Sequence, residues 1–244
     1  MIRKKIVISG GAGQFSRAFY ESADRKNFTI HPVKKQTMDV SKVSQIESIL
    51  DEIKPDYFVH AGALTRPMIK HENNPELSIE SNIIGTANVV VSCMRRNIKL
   101  VYLSTDHVYP GTTGNYSEDD PVYPINSYAW SKLGGECSVR LYENSCILRL
   151  AMVQNPFPHE SAIVDSYKSS ITIDDAAKIV FDFLDKKGTY NIGGPRMSIY
   201  EFAQQTAPRV KTIRLSEIKN VKMPSDVSMN TSKMREVIDR DKSL

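Results

Sequence analysis

The sequence has few cysteines and a single tryptophan, and its histidines are sparse. The three cysteines, Cys93, Cys137 and Cys146, do not have the spacing of a zinc ribbon or of a CxxC redox pair. The five histidines do not follow metal-ligand spacings such as HExxH. We therefore expect no metal site. The small, odd number of cysteines indicates a reducing compartment, and we expect the cytoplasm.

Long apolar runs and strong charge are also absent. No run of about 18 apolar residues occurs, so no membrane-spanning segment is expected. The first residues lack the apolar core of a secretory signal. The formal net charge is +4, and the basic residues are scattered along the chain. We expect no nucleic-acid surface, although a mild positive bias suits an anionic small substrate.

Short apolar runs alternate with segments of helical periodicity. Strands are predicted at residues 5–9, 28–33, 57–60, 99–104 and 146–150, and helices at 14–23, 41–53, 75–96 and 126–144. This alternation predicts an α/β protein with a doubly wound parallel sheet, a Rossmann fold. After residue 150 the pattern weakens, with predicted helices at 174–186 and 198–207 and a strand at 190–192. We predict a dinucleotide-binding domain over residues 1–150 and a small, shortened α/β substrate-binding lobe over 151–244, packed on it.

A glycine-rich turn separates the first strand from the first helix. Gly10 and Gly13 let the chain turn tightly and let the backbone approach a pyrophosphate. The helix that begins at Gln14 presents free N–H groups to such an anion. Ser16 stands where a third glycine is typical, and serine is small enough to preserve close packing of helix on strand. The alternative interpretation is that the glycines serve only the geometry of the loop between strand and helix.

The end of the second strand carries lysine in place of an acid. NAD-binding proteins usually have a carboxylate there that holds the ribose hydroxyl groups. Here Lys34 and Lys35 follow the strand, and such lysines can meet a 2′-phosphate. We therefore predict that NADP(H) is favoured over NAD(H), with Lys34 as a cofactor contact. The alternative is that both lysines are only solvated.

Tyr128 and Lys132 are four residues apart on a predicted helix, so their side chains share one face. Carbonyl reduction needs a proton donor, and a lysine ammonium lowers the pKa of a nearby tyrosine from its free value of about 10. The spacing is common by chance, but this pair follows a strand that ends at Ser104 and Thr105. Ligands of open α/β sheets bind at such strand ends, where Thr105 can polarise a substrate carbonyl. We predict Thr105, Tyr128 and Lys132 as the catalytic residues.

Several segments resemble the extended short-chain dehydrogenases and, in particular, the dTDP-4-dehydrorhamnose reductase family. The segments that carry the resemblance are LSTDHVYPG at 103–111, GNYSE at 114–118, PINSY at 124–128 and KLGGE at 132–136, with shorter matches at 38–40, 55–56, 61–63 and 82–88. After Arg149 the chain is shorter than is usual in that family, which normally has a longer insert that helps hold the sugar nucleotide.

The resemblance implies the roles of individual residues. Gly10, Gly13, Gln14 and Phe15 are expected at the pyrophosphate, Asp39 and Val40 at the adenine, and Ala61, Gly62 and Ala63 beneath the ribose and nicotinamide. Together with Lys34, the predicted cofactor contacts also include Ser104, Tyr128 and Lys132. Hydride would pass from the nicotinamide to a 4-keto sugar carbon, and Tyr128 would supply the proton. The expected function is an NAD(P)H-dependent reductase of a nucleotide-linked 4-keto sugar.

Two alternatives share these motifs. A nucleotide-sugar epimerase of the same superfamily would keep the glycine turn and the catalytic residues. A regulatory subunit, like the accessory subunit of methionine adenosyltransferase, would bind the cofactor without turnover. A dehydratase is less compatible, because it usually has an acidic pair after the threonine and here Asp106 is followed by His107. The expected partners are a nucleotide-sugar substrate and a second copy of the chain, which would pair through the Tyr128–Lys132 helix.

Overall fold

The structure is a computed structural model that describes residues 3–24 and 26–241. Its strands are β1 (Lys4–Ser9), β2 (Phe28–Val33), β3 (Tyr57–His60), β4 (Lys99–Thr105), β5 (Ser145–Leu150), β6 (Met152–Val153), β7 (Ser161–Ile163), β8 (Tyr167–Lys168), β9 (Ile171–Thr172), β10 (Gly188–Ile192), β11 (Met197–Ser198) and β12 (Lys211–Ile213). Its α-helices are α1 (Gln14–Ser22), α2 (Val43–Ile53), α3 (Ile69–Asn73), α4 (Pro75–Ser78), α5 (Gly85–Arg96), α6 (Ser127–Val139), α7 (Ile173–Ile179), α8 (Ile199–Gln204) and α9 (Ser232–Asp241).

Six parallel strands form the central sheet, in the order β10-β5-β4-β3-β1-β2. The predicted doubly wound α/β fold is confirmed. The chain leaves β1 on one side to form β2 and returns on the other side to form β3, so a crevice opens at the carboxyl end of β1. The central sheet contains strands from before and after residue 150, because β10 is its sixth strand. The division into two domains at residue 150 stays a prediction.

Both faces of the sheet are apolar and covered by helices. Successive side chains of a strand point to opposite faces, and the middle of β1 is apolar at every position, as a strand buried on both faces requires. Ile6 and Ile8 pack with α1, α7 and α9 in one core, whereas Val7 packs with α2 and α5 in the other. All three side chains are fully buried. This double burial fixes the register of β1 and therefore the position of the turn that follows it.

Two of the predicted long helices differ in detail from the observed ones. The helix predicted at 126–144 is α6, which begins after the Asn126 side chain accepts the Ala129 N–H at 2.9 Å and ends at Val139. The predicted helix at 75–96 is continuous, but it contains a π-helical segment, Ile79–Ile84, between α4 and α5. Such π-helical segments are frequent at functional sites. The short helix α3 was not predicted from the sequence.

Within the described residues, the helix Pro75–Arg96 is the one segment long and apolar enough to cross a membrane by length and composition. The core helix of a globular domain satisfies the same two conditions. Here the inner face of this helix belongs to the core under the sheet, where Val89, Val90 and Cys93 are buried. The length and hydropathy of this helix therefore have an explanation in the packing of the sheet.

Candidate active site

A cleft opens at the carboxyl ends of β1, β3 and β4. Its larger part has a volume of about 540 Å³ and is lined by the glycine turn, Thr105 and Tyr128. A smaller part of about 310 Å³ is lined by Asp39 and Val40. Gly10, Lys35, Gly62 and Ala63 line both parts, which therefore adjoin. An elongated ligand can occupy both at once, since both volumes lie in the range of small-molecule and cofactor sites.

The glycine turn has the geometry that a pyrophosphate needs. Gly10 has φ +73°, and a Cβ there would lie 2.9 Å from the Gly62 Cα, so another residue would be strained and would clash. Gly13 precedes α1 without a side-chain cap, which leaves the first N–H groups of the helix for an anion. Ser16 is buried and donates to the Gly10 carbonyl at 2.9 Å, so serine closes the turn at the third glycine position. These residues fit a dinucleotide.

The smaller part of the cleft is organised around Asp39. The Asp39 carboxylate accepts hydrogen bonds from the Ser41 N–H at 3.0 Å and from the Ser41 hydroxyl at 2.8 Å. Burial acts to raise the pKa of Asp39, but the Ser41 hydrogen bonds outweigh it and keep this pKa below its usual value. Val40 is buried, and its carbonyl accepts from the Asn88 side chain at 3.0 Å. Asp39 and Val40 therefore line the smaller part of the cleft, and their contact with an adenine stays a prediction.

The lysine that lines the cleft is Lys35, whereas the cofactor contact at Lys34 stays a prediction. Lys34 lies in a separate surface depression with Tyr20 and Thr37. Lys35 lines both parts of the cleft, and its ammonium is 3.7 Å from an Asp39 carboxylate oxygen. The side chains of neighbouring residues after a strand point in different directions, and the sequence did not indicate which lysine faces the crevice.

Thr105 and Tyr128 meet in the larger part of the cleft. The Thr105 hydroxyl group is close enough to the Tyr128 phenol to act to lower the tyrosine pKa, while it donates to Asp106 at 3.1 Å. Burial has the larger effect and raises the pKa of Tyr128 to about 12. The expected lowering of this pKa by Lys132 is therefore not observed. The phenol is fully protonated at neutral pH, which is the form that a proton donor needs.

Lys132 is buried one helical turn beyond Tyr128 and does not line the cleft. Its ammonium lies 4.1 Å from the centre of the Tyr102 ring, an arrangement that stabilises a cation. Burial lowers the pKa of Lys132 to about 7, although the Glu136 carboxylate acts to raise it. The ammonium form is therefore partly populated at neutral pH. A phenolate formed nearby would favour it further.

Ser104 lines the cleft, but its hydroxyl group is engaged elsewhere. It donates to a Glu136 carboxylate oxygen at 2.5 Å, and both residues are buried. The Arg149 guanidinium donates to the same carboxylate at 3.2 Å and 2.9 Å. Ser104 thus belongs to a buried polar network behind the cleft. Three more of the predicted residues line the cleft itself, namely Gln14, Phe15 and Ala61.

Other polar residues of the cleft were not predicted from the sequence. Lys168 of β8 lines the cleft and forms an ion pair of 3.0 Å with Asp106. Its ammonium is also 3.1 Å from His107 Nε2. Asp106 and His107 were visible only as part of a motif, and a strand as short as β8 gives no periodic signal. Arg66, in the loop after β3, also lines the cleft.

The described part of the chain has no group of three or more His, Cys, Asp or Glu side chains arranged to hold a metal ion. The cleft contains a protonated phenol, a threonine hydroxyl group and an uncapped helix N-terminus at a glycine turn, and the buried Lys132 lies behind it. Such an arrangement can bind a dinucleotide and donate a proton to a bound carbonyl compound.

Comparison with known proteins places this arrangement in a family. A family model described as RmlD substrate binding domain matches residues 4–186. The β subunit of methionine adenosyltransferase 2 from Bos taurus is 25% identical over 239 residues, covering 82% of this chain and 70% of that protein. The dTDP-4-dehydrorhamnose reductase of Aggregatibacter actinomycetemcomitans is 25% identical over 234 residues, covering 82% and 76%.

The fold is also that of a solved reductase. The crystal structure of dTDP-4-dehydrorhamnose reductase from Bacillus anthracis, in complex with NADP, aligns with a TM-score of 0.87 and 24% identity, covering 97% of this chain and 92% of that one. The family match confirms the resemblance found in the sequence motifs. It begins at the start of β1 and ends at residue 186, between α7 and β10. The chain belongs to the RmlD substrate binding domain family.

Proposed function

We propose that the protein is an NAD(P)H-dependent oxidoreductase that reduces the keto group of a nucleotide-linked 4-keto sugar, as dTDP-4-dehydrorhamnose reductases do. The observation that carries the proposal is the meeting of Thr105 and Tyr128 in a cleft whose other end is an uncapped helix N-terminus at a glycine turn. Proteins named dTDP-4-dehydrorhamnose reductase are among the relatives, which supports this substrate class.

Residues at different positions along the cleft bind the cofactor and act on the substrate. The N–H groups at the start of α1 bind the pyrophosphate, and Asp39 and Val40 contact the adenosine half. Bound nicotinamide supplies the hydride. The Thr105 hydroxyl group, which donates to Asp106 at 3.1 Å, turns to the substrate carbonyl oxygen, and the Tyr128 hydroxyl group gives that oxygen its proton. The Lys132 ammonium stabilises the phenolate that remains until the proton is replaced from solvent.

The test is a direct assay of the purified chain. We expect NADPH binding in a fluorescence titration and NADPH oxidation when dTDP-4-dehydrorhamnose is added. Binding of NADPH without turnover on any 4-keto nucleotide sugar would contradict the proposal and favour the regulatory alternative. That alternative is supported by relatives named as a subunit of methionine adenosyltransferase. An enzyme that interconverts two sugars without net NADPH oxidation would instead be an epimerase.

We also propose that NADP(H) is preferred over NAD(H) because of Lys35. Its ammonium is free to turn towards a 2′-phosphate, since its side chain is 76% exposed and its distance to Asp39 is 3.7 Å. The Lys35→Met variant is expected to weaken NADPH binding about tenfold, with NADH binding unchanged. Titrations with both cofactors measure this. Lys34→Met is the matched control. An equal loss of NADPH affinity in that variant would show that the loss comes from removing any positive charge near the site and not from a contact of Lys35.

A second copy of the chain is the proposed partner in solution. Ile84, Val91 and Met94 lie on one stripe of the helix that ends at Arg96, and each is 44–46% exposed. Trp130 of α6 is also exposed, at 48%. Light scattering is expected to give the mass of a dimer, and Val91→Glu is expected to give a monomer because burying the new charge is costly. Val43→Glu on α2 is the control, and an unchanged dimer in Val91→Glu would refute this surface.

The cytoplasm remains the proposed location. This proposal is based on the small, odd number of cysteines in the sequence.

A further inference from the structure

Lys168 lies within reach of the proposed reaction centre but takes no part in the chemistry described above. It lines the same cleft as Thr105 and Tyr128, and 13% of its side chain is exposed. It comes from β8, a two-residue strand in the later part of the chain that pairs with β11. The cleft therefore has a cationic side chain opposite the strand end that supplies Thr105.

Two neighbours fix the position of the Lys168 ammonium. Its nitrogen is 3.0 Å from an Asp106 carboxylate oxygen and 3.1 Å from His107 Nε2. Asp106 and His107 are both more than nine-tenths buried. An ammonium group only donates, so His107 Nε2 accepts and Nδ1 bears the ring proton. The ammonium has three N–H groups. One donates to His107 Nε2, whereas the contact with Asp106 is an ion pair in which that carboxylate oxygen has no hydrogen bond.

The site is close to the reacting atoms. The other Asp106 carboxylate oxygen accepts from the Thr105 hydroxyl group at 3.1 Å. The His107 ring lies edge to face with the Tyr128 ring, with the ring centres 6.3 Å apart. Asp106 thus contacts both Thr105 and Lys168, one through each carboxylate oxygen. Lys168 is therefore a neighbour of the group that would meet a substrate carbonyl oxygen.

Charge decides which substituent suits this position. The Asp106 carboxylate neutralises the Lys168 ammonium, so the pair has no net charge left to attract a carboxylate or a phosphate. The Lys168 ammonium still has N–H groups without an acceptor. Asp106 Oδ2 and His107 Nδ1 have no hydrogen-bond partner within the described residues, and a buried polar atom without a partner is typical of a site that a ligand or water completes. A neutral hydroxyl group can accept from Lys168 without adding charge to the pair.

We propose that Lys168, held by Asp106 and His107, is a specificity-determining residue that donates a hydrogen bond to the sugar hydroxyl group next to the reduced carbon. The inference rests on the proposed reductase function and names the part of the sugar that the site selects. For a 4-keto sugar with a methyl group beyond C5, that group is the 3-hydroxyl.

The experiment compares dTDP-4-dehydrorhamnose with its 3-deoxy analogue in the wild-type chain and in Lys168→Met. The wild type is expected to prefer the parent sugar by about 10- to 100-fold in kcat/KM, as expected for a hydrogen bond from a charged donor. In Lys168→Met the parent sugar is expected to lose that factor, and the analogue to lose little, so the preference disappears. NADPH affinity is expected to stay unchanged.

Controls separate this role from a structural one. Lys178→Met, at a lysine of α7 with 67% of its side chain exposed, is expected to keep the preference. Should Lys168→Met fail to fold, Lys168→Gln gives the same comparison with a shorter, neutral side chain. A variant that slows both sugars equally, or a wild type without preference, overturns the inference alone. A wild type that reduces neither sugar overturns the proposed function as well.

Discussion

Replacing Tyr128 with phenylalanine is expected to lower kcat for the 4-keto sugar by about 10²- to 10⁴-fold, the usual contribution of a general acid. The variant keeps the ring that packs edge to face against His71 and His107 and loses only the hydroxyl group. NADPH affinity is expected to change by less than about twofold, because the loss falls on the transition state. Steady-state rates and a fluorescence titration of NADPH measure the two quantities.

Tyr123→Phe is the matched control for that result. Tyr123 is 64% exposed and stacks edge to face on Trp130, away from the cleft. The same atom is removed there, and we expect kcat to stay within about twofold of the wild type. If Tyr128→Phe retained full activity, the proton would come from another group and the assigned role of Tyr128 would be wrong. If it lost NADPH binding, the hydroxyl group would serve the cofactor instead.

The pKa values of the two predicted catalytic side chains differ from those that the sequence indicated. A lysine four residues from a tyrosine suggests a lowered tyrosine pKa, yet burial raises the pKa of Tyr128 to about 12 and lowers that of Lys132 to about 7. The unliganded pair is therefore mostly a neutral phenol beside a partly protonated lysine. Sequence spacing identifies the pair but does not show its desolvation, which depends on the elements packed around α6.

The sequence was most informative where the local chain determines the geometry. The turn at Gly10 needs a positive φ and has Gly62 directly against it, so its residue types reveal its conformation. Thr105 could be placed as well, because a strand end in a parallel sheet is a predictable position. Tyr128 followed from helical spacing. Each of these inferences depends on a few neighbouring residues.

Features that depend on distant contacts were not visible in the sequence. Strand β10 joins the central sheet beside β5, although its segment follows a region of weak pattern. Lys168 reaches the cleft from β8, and the choice between Lys34 and Lys35 is decided by side-chain direction at the end of β2. In each case the position is fixed by tertiary packing, which residue periodicity does not encode.

Arg149 and Glu136 form a buried ion pair that also depends on contacts between distant parts of the chain. Both side chains are fully buried, and the guanidinium donates twice to the carboxylate. It also donates to the Tyr109 hydroxyl group at 2.8 Å, which in turn donates to Asn191 of β10 at 2.7 Å. The network therefore joins α6, β5 and β10 behind the catalytic helix. Glu136 also acts to raise the pKa of Lys132.

Replacing Arg149 with methionine is expected to lower the free energy of unfolding by about 3–5 kcal/mol, because the Glu136 carboxylate is left buried without its partner. Urea unfolding without cofactor measures this, with an unchanged m value as the check on two-state behaviour. The double variant Arg149→Met with Glu136→Leu is the control. We expect it to recover most of the loss, because an apolar pair replaces the unpaired charge.

The double variant also distinguishes an unpaired charge from a packing defect. If the cost of Arg149→Met comes from the unpaired Glu136 carboxylate, adding Glu136→Leu removes that charge and restores stability. If the double variant is no more stable than Arg149→Met alone, the cost comes from lost packing around Arg149, and the carboxylate would have found another partner.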